Sequence, residues 1–269
     1  MNQRLSTCLL FGALLSLPPT TRGQETNSTI VRRSILNGPS FQTEAPTEIS
    51  RGTSPSVSAR ELSIPERAVK AYTKGMDRLS KNDPAGSLDH FQRAASEFPN
   101  FYEAYYATGL AQLRLGHEEE AQQAFQKSID ASGGHYAEPH FGLSALLCNQ
   151  RKFTEAEPII RKALELAPGF GPGHFILAWA LFGLNRLDEA EKIAHEVSIR
   201  DPNLALPHLL LANIYNRRDD CSAMLVELDA YLRLEPDGPL SDQVHKAKES
   251  ARRKLAESVI TIEAAQAKP

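Results

Sequence analysis

The chain is poor in the residues that define several common protein classes. Three cysteines in 269 residues are too few for a disulfide scaffold, and their spacing fits no zinc site. Basic residues are not in excess: 30 Lys plus Arg stand against 33 Asp plus Glu. A net charge of -3 supplies no field to hold nucleic acid or an anionic membrane. With 16 Gly and 17 Pro the chain is neither collagen-like nor low-complexity throughout. No nucleophile elbow, His-Glu-x-x-His helix or calcium loop occurs, so no enzyme is indicated. What is present is enough apolar material, 41%, for a packed core in one large domain or two smaller ones.

The amino-terminal region divides in two. Arg4 precedes an apolar run, Leu5 to Leu17, and then Pro18-Pro19-Thr20-Thr21-Arg22-Gly23. A basic start, a short apolar stretch and small residues beyond it predict a signal peptide over 1–23, with cleavage after Gly23 and export. The run falls well short of the roughly 20 residues that span a bilayer, so no other membrane contact is indicated. Residues 24–64 hold thirteen Ser and Thr, three Pro and no hydrophobic period. That composition cannot offset its ordering entropy and predicts a flexible tether, with an end-to-end distance of about 35 Å. Asn27-Ser28-Thr29 has the form of a glycosylation triplet, which matters only where secreted proteins are glycosylated.

The rest of the chain repeats. Pro168, Pro202 and Pro236 are 34 residues apart, and Pro99 precedes Pro168 by twice 34 plus one. The missing member falls at Gly133-Gly134, where glycine supplies the turn and the extra residue. Five units follow, over about 65–101, 102–135, 136–169, 170–203 and 204–238. Each carries a small residue within its first helix, one repeat apart: Gly75, Gly109, Ser144, Ala178 and Ala212. Twelve positions further stand Ser87, Ala121, Ala156, Ala190 and Met224, then Phe91, Phe125, Ile160, Ala194 and Leu228. Small and large residues at helical spacing, broken near Asn82, Gly116, Lys152, Asn185 and Asp219, predict two antiparallel helices per unit. Ser63-Ile64-Pro65-Glu66 has the form of a capping box, and Asp83 and Asn203 are expected to open later helices. Pro158 is expected in a first turn begun at Thr154. Residues 239–269 read as a capping helix, from Leu240 to about Ile262, and a tail.

This pattern resembles the tetratricopeptide repeat family. Units three and four match best, through Leu143, Ala156, Ala163 and Pro168, then Leu177, Ala178, Ala190 and Pro202. The resemblance implies an all-α, right-handed superhelical solenoid of five antiparallel helix pairs with a carboxy-terminal cap. It also implies that the first helix of each unit lines a concave face. Carried over by alignment, that face holds Tyr72 and Met76, Tyr106, Leu110 and Leu113, Phe141, Ala145 and Cys148. Phe175, Trp179 and Phe182 follow, then Leu209, Asn213 and Asn216.

Such an apolar, aromatic stripe is the kind of surface that anchors an interface. The expected function is a non-catalytic, exported interaction module that binds an apolar peptide or amphipathic helix, with no cofactor. A chaperone or carrier shielding an apolar ligand or a client protein is the alternative, and the stripe is also open to coverage by the final helix or the tether. A carboxylate clamp is rejected, because only Asn213, Asn216 and Arg217 are suitably polar. His140, His174 and His208 recur 34 apart, but successive repeats stand roughly 10 Å apart. Nitrogen ligands lie about 2 Å from zinc, so these histidines read as packing residues rather than a metal ladder. Gly169 to Gly173 lacks the strand and the Lys-Ser/Thr of a phosphate loop and reads as a turn. Cys148 and Cys221, two units apart, are not expected to pair.

Overall fold

The computed structural model describes residues 63–266, with side chains to 257. The expected signal peptide and tether lie outside the described residues, apart from Ser63 and Ile64. Eleven α-helices and no strand occur among the described residues. They are α1 (Glu66–Ser80), α2 (Pro84–Glu97), α3 (Tyr102–Leu115), α4 (Glu118–Ala131), α5 (Ala137–Asn149), α6 (Phe153–Leu166), α7 (Gly171–Gly183), α8 (Leu187–Arg200), α9 (Leu206–Arg217), α10 (Cys221–Leu234) and α11 (Ser241–Gln266). The described residues fall into two compact units, 63–176 and 177–266.

In the first unit α1 pairs with α2, α3 with α4 and α5 with α6, while α2 packs on α3 and α4 on α5. One turn geometry closes the first helix of every repeat. Asn82, Gly116, Arg151, Asn185 and Asp219 occupy the same register, and all have φ between 59° and 85°. The next residue's N–H reaches back five residues in each case: Asp83 to Arg78 O, His117 to Gln112 O, Lys152 to Leu147 O, Arg186 to Leu181 O and Asp220 to Tyr215 O, at 2.9 to 3.0 Å. This left-handed cap satisfies carbonyls that the helix end would otherwise orphan. The second helices stop for a different reason. Phe98, Ala167, Asp201 and Glu235 each precede a proline and leave the helical region, with φ from -143° to -129° and ψ from 65° to 94°. At the repeat without that proline, Gly133 and Gly134 are left-handed instead, with φ of 62° and 76°.

Close approach of paired helices depends on the small residues. A Cβ on Gly75 would lie 2.5 Å from the Phe91 ring, and one on Gly109 would lie 2.5 Å from the Phe125 ring. Both rings are fully buried. Where the second helix carries a smaller residue (Ile160, Ala194, Leu228), the first helix carries Ser144, Ala178 or Ala212, all buried.

In the second unit α8 packs on α9, α9 on α10 and α10 on α11. Leu240, just before α11, and Val244, Ala247 and Ala251 of α11 cover Met224, Leu228 and Tyr231 of α10. Lys248 pairs with Asp229 at the edge of that seam.

Three local expectations are corrected. Pro65, not Ser63, stands at the start of α1, and its carbonyl accepts from Ala68 and Val69. Asn203 does not open α9, which begins two residues beyond Leu204, after Ala205. Pro158 lies in the second turn of α6, which starts at Phe153, so it supplies no N–H to the Thr154 carbonyl one turn back. Asp83 does cap α2, its Oδ1 accepting from the Gly86 N–H at 2.8 Å. Asp220 does the same for α10 through the Ala223 N–H at 2.9 Å.

Candidate functional site

The aromatic residues assigned to the groove are mostly seams of the repeat. Tyr72, Tyr106 and Phe141 each pack against an aromatic residue at the junction with the next unit. Ring centroids are 5.0 Å apart for Tyr72 and Phe101, 5.7 Å for Tyr106 and Tyr136, and 4.4 Å for Phe141 and Phe170. Tyr72 and Tyr106 also touch Phe91 and Phe125 of the following helix. All three are buried, as are Leu110, Leu113, Ala145 and Cys148. Met76 and Phe175 are half-buried. The stripe in this unit is therefore packed at most positions, not an open apolar patch. Burial pushes the Cys148 thiol up, so it stays protonated and unreactive.

In residues 177–266 the pattern is similar. Trp179, Phe182, Leu209 and Asn213 are buried, and Asn216 is half-buried. The Arg217 guanidinium stacks 3.9 Å from the centre of the Phe182 ring and donates to the Phe182 carbonyl at 3.0 Å. Asn213 spends its amide on its own helix, donating to the Leu209 carbonyl at 2.8 Å. Neither Asn213 nor Arg217 is thus held ready for a carboxylate.

The recurring histidines are tied into the repeats. His140 Nδ1 donates to the Tyr136 carbonyl at 2.8 Å and His174 Nδ1 to the Phe170 carbonyl at 3.1 Å. A carbonyl only accepts, which fixes the proton on Nδ1. His208 Nδ1 meets a Glu227 carboxylate oxygen at 2.7 Å. No group of three metal-ligating side chains occurs among the described residues.

A polar cluster that the stripe alignment passed over lies in residues 63–176. Glu103 and Glu138 hold the second position of adjacent repeats, one residue after Tyr102 and two after Tyr136 respectively. The Tyr102 and Tyr136 rings are 4.8 Å apart, and Tyr136 meets Tyr106 edge to face. Tyr102, Glu103, Tyr136 and Glu138 are half-buried. The Tyr106 hydroxyl is buried and has no hydrogen-bond partner. An unmade bond of this kind costs about 1–3 kcal/mol. Desolvation, then Glu138 and Tyr72, raise the Tyr106 phenol far above its ordinary range. Tyr136 is raised in the same way, by burial and then by Glu138, Tyr106, Tyr72 and Glu103. Burial, with Glu103 adding to it, holds the Glu138 carboxyl above the usual carboxylate range. The alignment contained the signal for this cluster, two acids one repeat apart. Tyr136 was harder to place, because it follows the one-residue insertion at Gly133-Gly134.

Helix pairs closed by one recurring left-handed turn, each pair packed on the next within its unit, define a helical-repeat protein. Tetratricopeptide repeat models match residues 72–136 and 149–214. The chain belongs to the tetratricopeptide repeat family. Domains of this family typically bind proteins or peptides and are generally non-catalytic scaffolds.

The fold is shared with several solved structures. YrrB, described as a tetratricopeptide repeat protein with an unusual peptide-binding site, is 22% identical with a TM-score of 0.57, covering 68% of this chain and 92% of that one. MamA from Desulfovibrio magneticus RS-1, from residue 41 to its end, is 20% identical with a TM-score of 0.58, over 64% of this chain and 97% of that one. A thermophilic tetratricopeptide repeat protein of Thermus thermophilus, TTC0263, is 18% identical with a TM-score of 0.52, over 68% and 98%. A curated human protein, protein O-mannosyl-transferase TMTC1, is 26% identical over 125 residues, 46% of this chain. The match spans only 14% of that human protein.

Proposed function

We propose that the protein is a non-catalytic interaction module that takes an extended peptide or amphipathic helix along the first helices of its repeats. The carrying observation is that α1, α3 and α5 place half-buried Met76, Tyr102, Glu103, Tyr136 and Glu138 beside a fixed aromatic seam. Rigid aromatic bodies with polar rims suit peptide capture, because little side-chain entropy is lost on binding. Within this reading the buried members of the stripe, Tyr72, Tyr106, Leu110, Leu113 and Phe141, form the floor of the groove. Phe175, in the same unit, adds a half-buried aromatic edge. Trp179, Phe182, Leu209, Asn213 and Asn216 hold corresponding positions in residues 177–266. The Leu5 to Leu17 run supports an exported location. A carrier for an apolar ligand is less favoured, since the first helices offer buried seams and acids where a carrier needs free apolar surface.

The test is a displayed peptide library selected on the full chain, with affinities measured by fluorescence polarisation. Selected peptides are expected to bind at micromolar Kd and to weaken about tenfold with Met76→Lys, roughly 1.4 kcal/mol. Peptides indifferent to Met76→Lys and to Phe175→Ala would remove the groove from the account.

A further inference from the structure

We infer that Glu103, Glu138, Tyr102, Tyr106 and Tyr136 form a cradle for one guanidinium group, supplied by an arginine of the bound partner. The inference rests on the groove reading above and gives it a chemistry. Two observations carry it. The first is the position of the acids: Glu103 and Glu138 stand at the same place in consecutive repeats and so share one face of the 63–176 unit. The second is independent of charge. Tyr106 is almost entirely buried, yet its hydroxyl makes no hydrogen bond, although Glu138 is close enough to act on it. A protein retains an orphaned buried hydroxyl at a cost, and a ligand that bonds it recovers that cost.

The chemistry of the ligand follows from what surrounds the cluster. The groups that act on Tyr136 and Glu138 are carboxylates and phenols, which favour a positive visitor. A flat cation matches the walls better than a compact ammonium. Guanidinium stacks on aromatic faces, is weakly hydrated and meets carboxylates through two parallel N–H donors. The Tyr102 and Tyr136 rings, 4.8 Å apart, supply the aromatic wall, and Glu138 supplies the acceptor edge. The Tyr106 oxygen has a free lone pair for a guanidinium N–H and a free proton for Glu138. An arginine entering this cradle would lower the raised Glu138 carboxyl back toward its ordinary value, so binding favours loss of its proton.

The experiment uses the full chain with its tyrosine rings labelled with ¹³C, assigned by single Tyr→Phe changes. It is titrated with acetyl-Leu-Arg-Leu-amide and with the neutral citrulline twin, identical in shape. The Arg tripeptide is expected to shift Tyr106 and Tyr136 in a saturable way, and the citrulline peptide is not. Glu138→Gln is expected to weaken that saturation about tenfold while raising the thermal midpoint, since it removes a carboxylate that burial disfavours. A purely structural role predicts the opposite, a lower midpoint. Equal shifts from both peptides, or none from either, overturn the cradle. Peptides that bind the groove without preferring Arg leave the groove reading standing and sink only this inference. A response to the Arg tripeptide that appears only after Arg32→Gln and Arg33→Gln would assign the cradle to the chain's own amino-terminal arginines, overturning a separate partner.

Discussion

Arg151 occupies the left-handed turn position with φ 61°, where the other four repeats place Asn82, Gly116, Asn185 and Asp219. Asn and Asp tolerate this region and glycine has no Cβ to clash, whereas arginine has neither advantage. Its side chain is exposed, so little packing is lost with it. Arg151→Gly is expected to stabilise the chain by about 1 kcal/mol, read as a higher denaturant midpoint with unchanged slope. No gain would mean that the turn is not strained at that residue. His140 is a second case. Burial lowers its pKa, so the folded state holds fewer protons than the unfolded one below about 6.5. The stability contributed by the neutral imidazole is complete above that value and is lost as pH falls through the window beneath it. Imidazole resonances should show His140 titrating later on acidification in the folded chain than in the unfolded one. Simultaneous titration would contradict the buried, Nδ1-protonated ring.

At the scale of elements, each helix pair is set by one small residue facing one large one. Gly109→Ala adds a Cβ 2.5 Å from the Phe125 ring, and overpacking of this kind costs about 1–3 kcal/mol. The gain in helix propensity offsets up to about 1 kcal/mol of that. Adding Phe125→Leu reproduces the Ala212 and Leu228 pairing of the fifth repeat. The double variant should therefore be more stable than the two single losses added together, as measured in a double-mutant cycle. Simple additivity would mean that the two positions do not face each other. The pairings were legible in sequence because small and large residues recur at fixed offsets, and so were the breaks at Asn82, Gly116, Asn185 and Asp219. Caps were less legible. Asp83 announced itself, but Asp220 did not, and Ser63 and Asn203 had the right chemistry in places where the backbone did not present it. Side-chain type reports that a cap is available; backbone direction decides whether it is used.

At the scale of the molecule, the repeat count and helix order followed from the 34-residue period, and the identity of the groove positions followed from alignment with a known family. Alignment does not carry depth. Aromatic residues assigned to an open surface are largely buried, because an aromatic residue at the junction with the next repeat, Phe101, Tyr136 or Phe170, closes over Tyr72, Tyr106 or Phe141. That closure is a contact between residues about thirty apart, invisible to a pattern read one face at a time. It leaves the second position, Glu103 and Glu138, as the more accessible chemistry of the same face. The most direct test of the account is hydrogen exchange of the full chain with and without a library-selected peptide. The account predicts added protection in α1, α3 and α5 and none in α2, α4 and α6. Protection confined to α2, α4 and α6 would place the partner on the opposite face and contradict it.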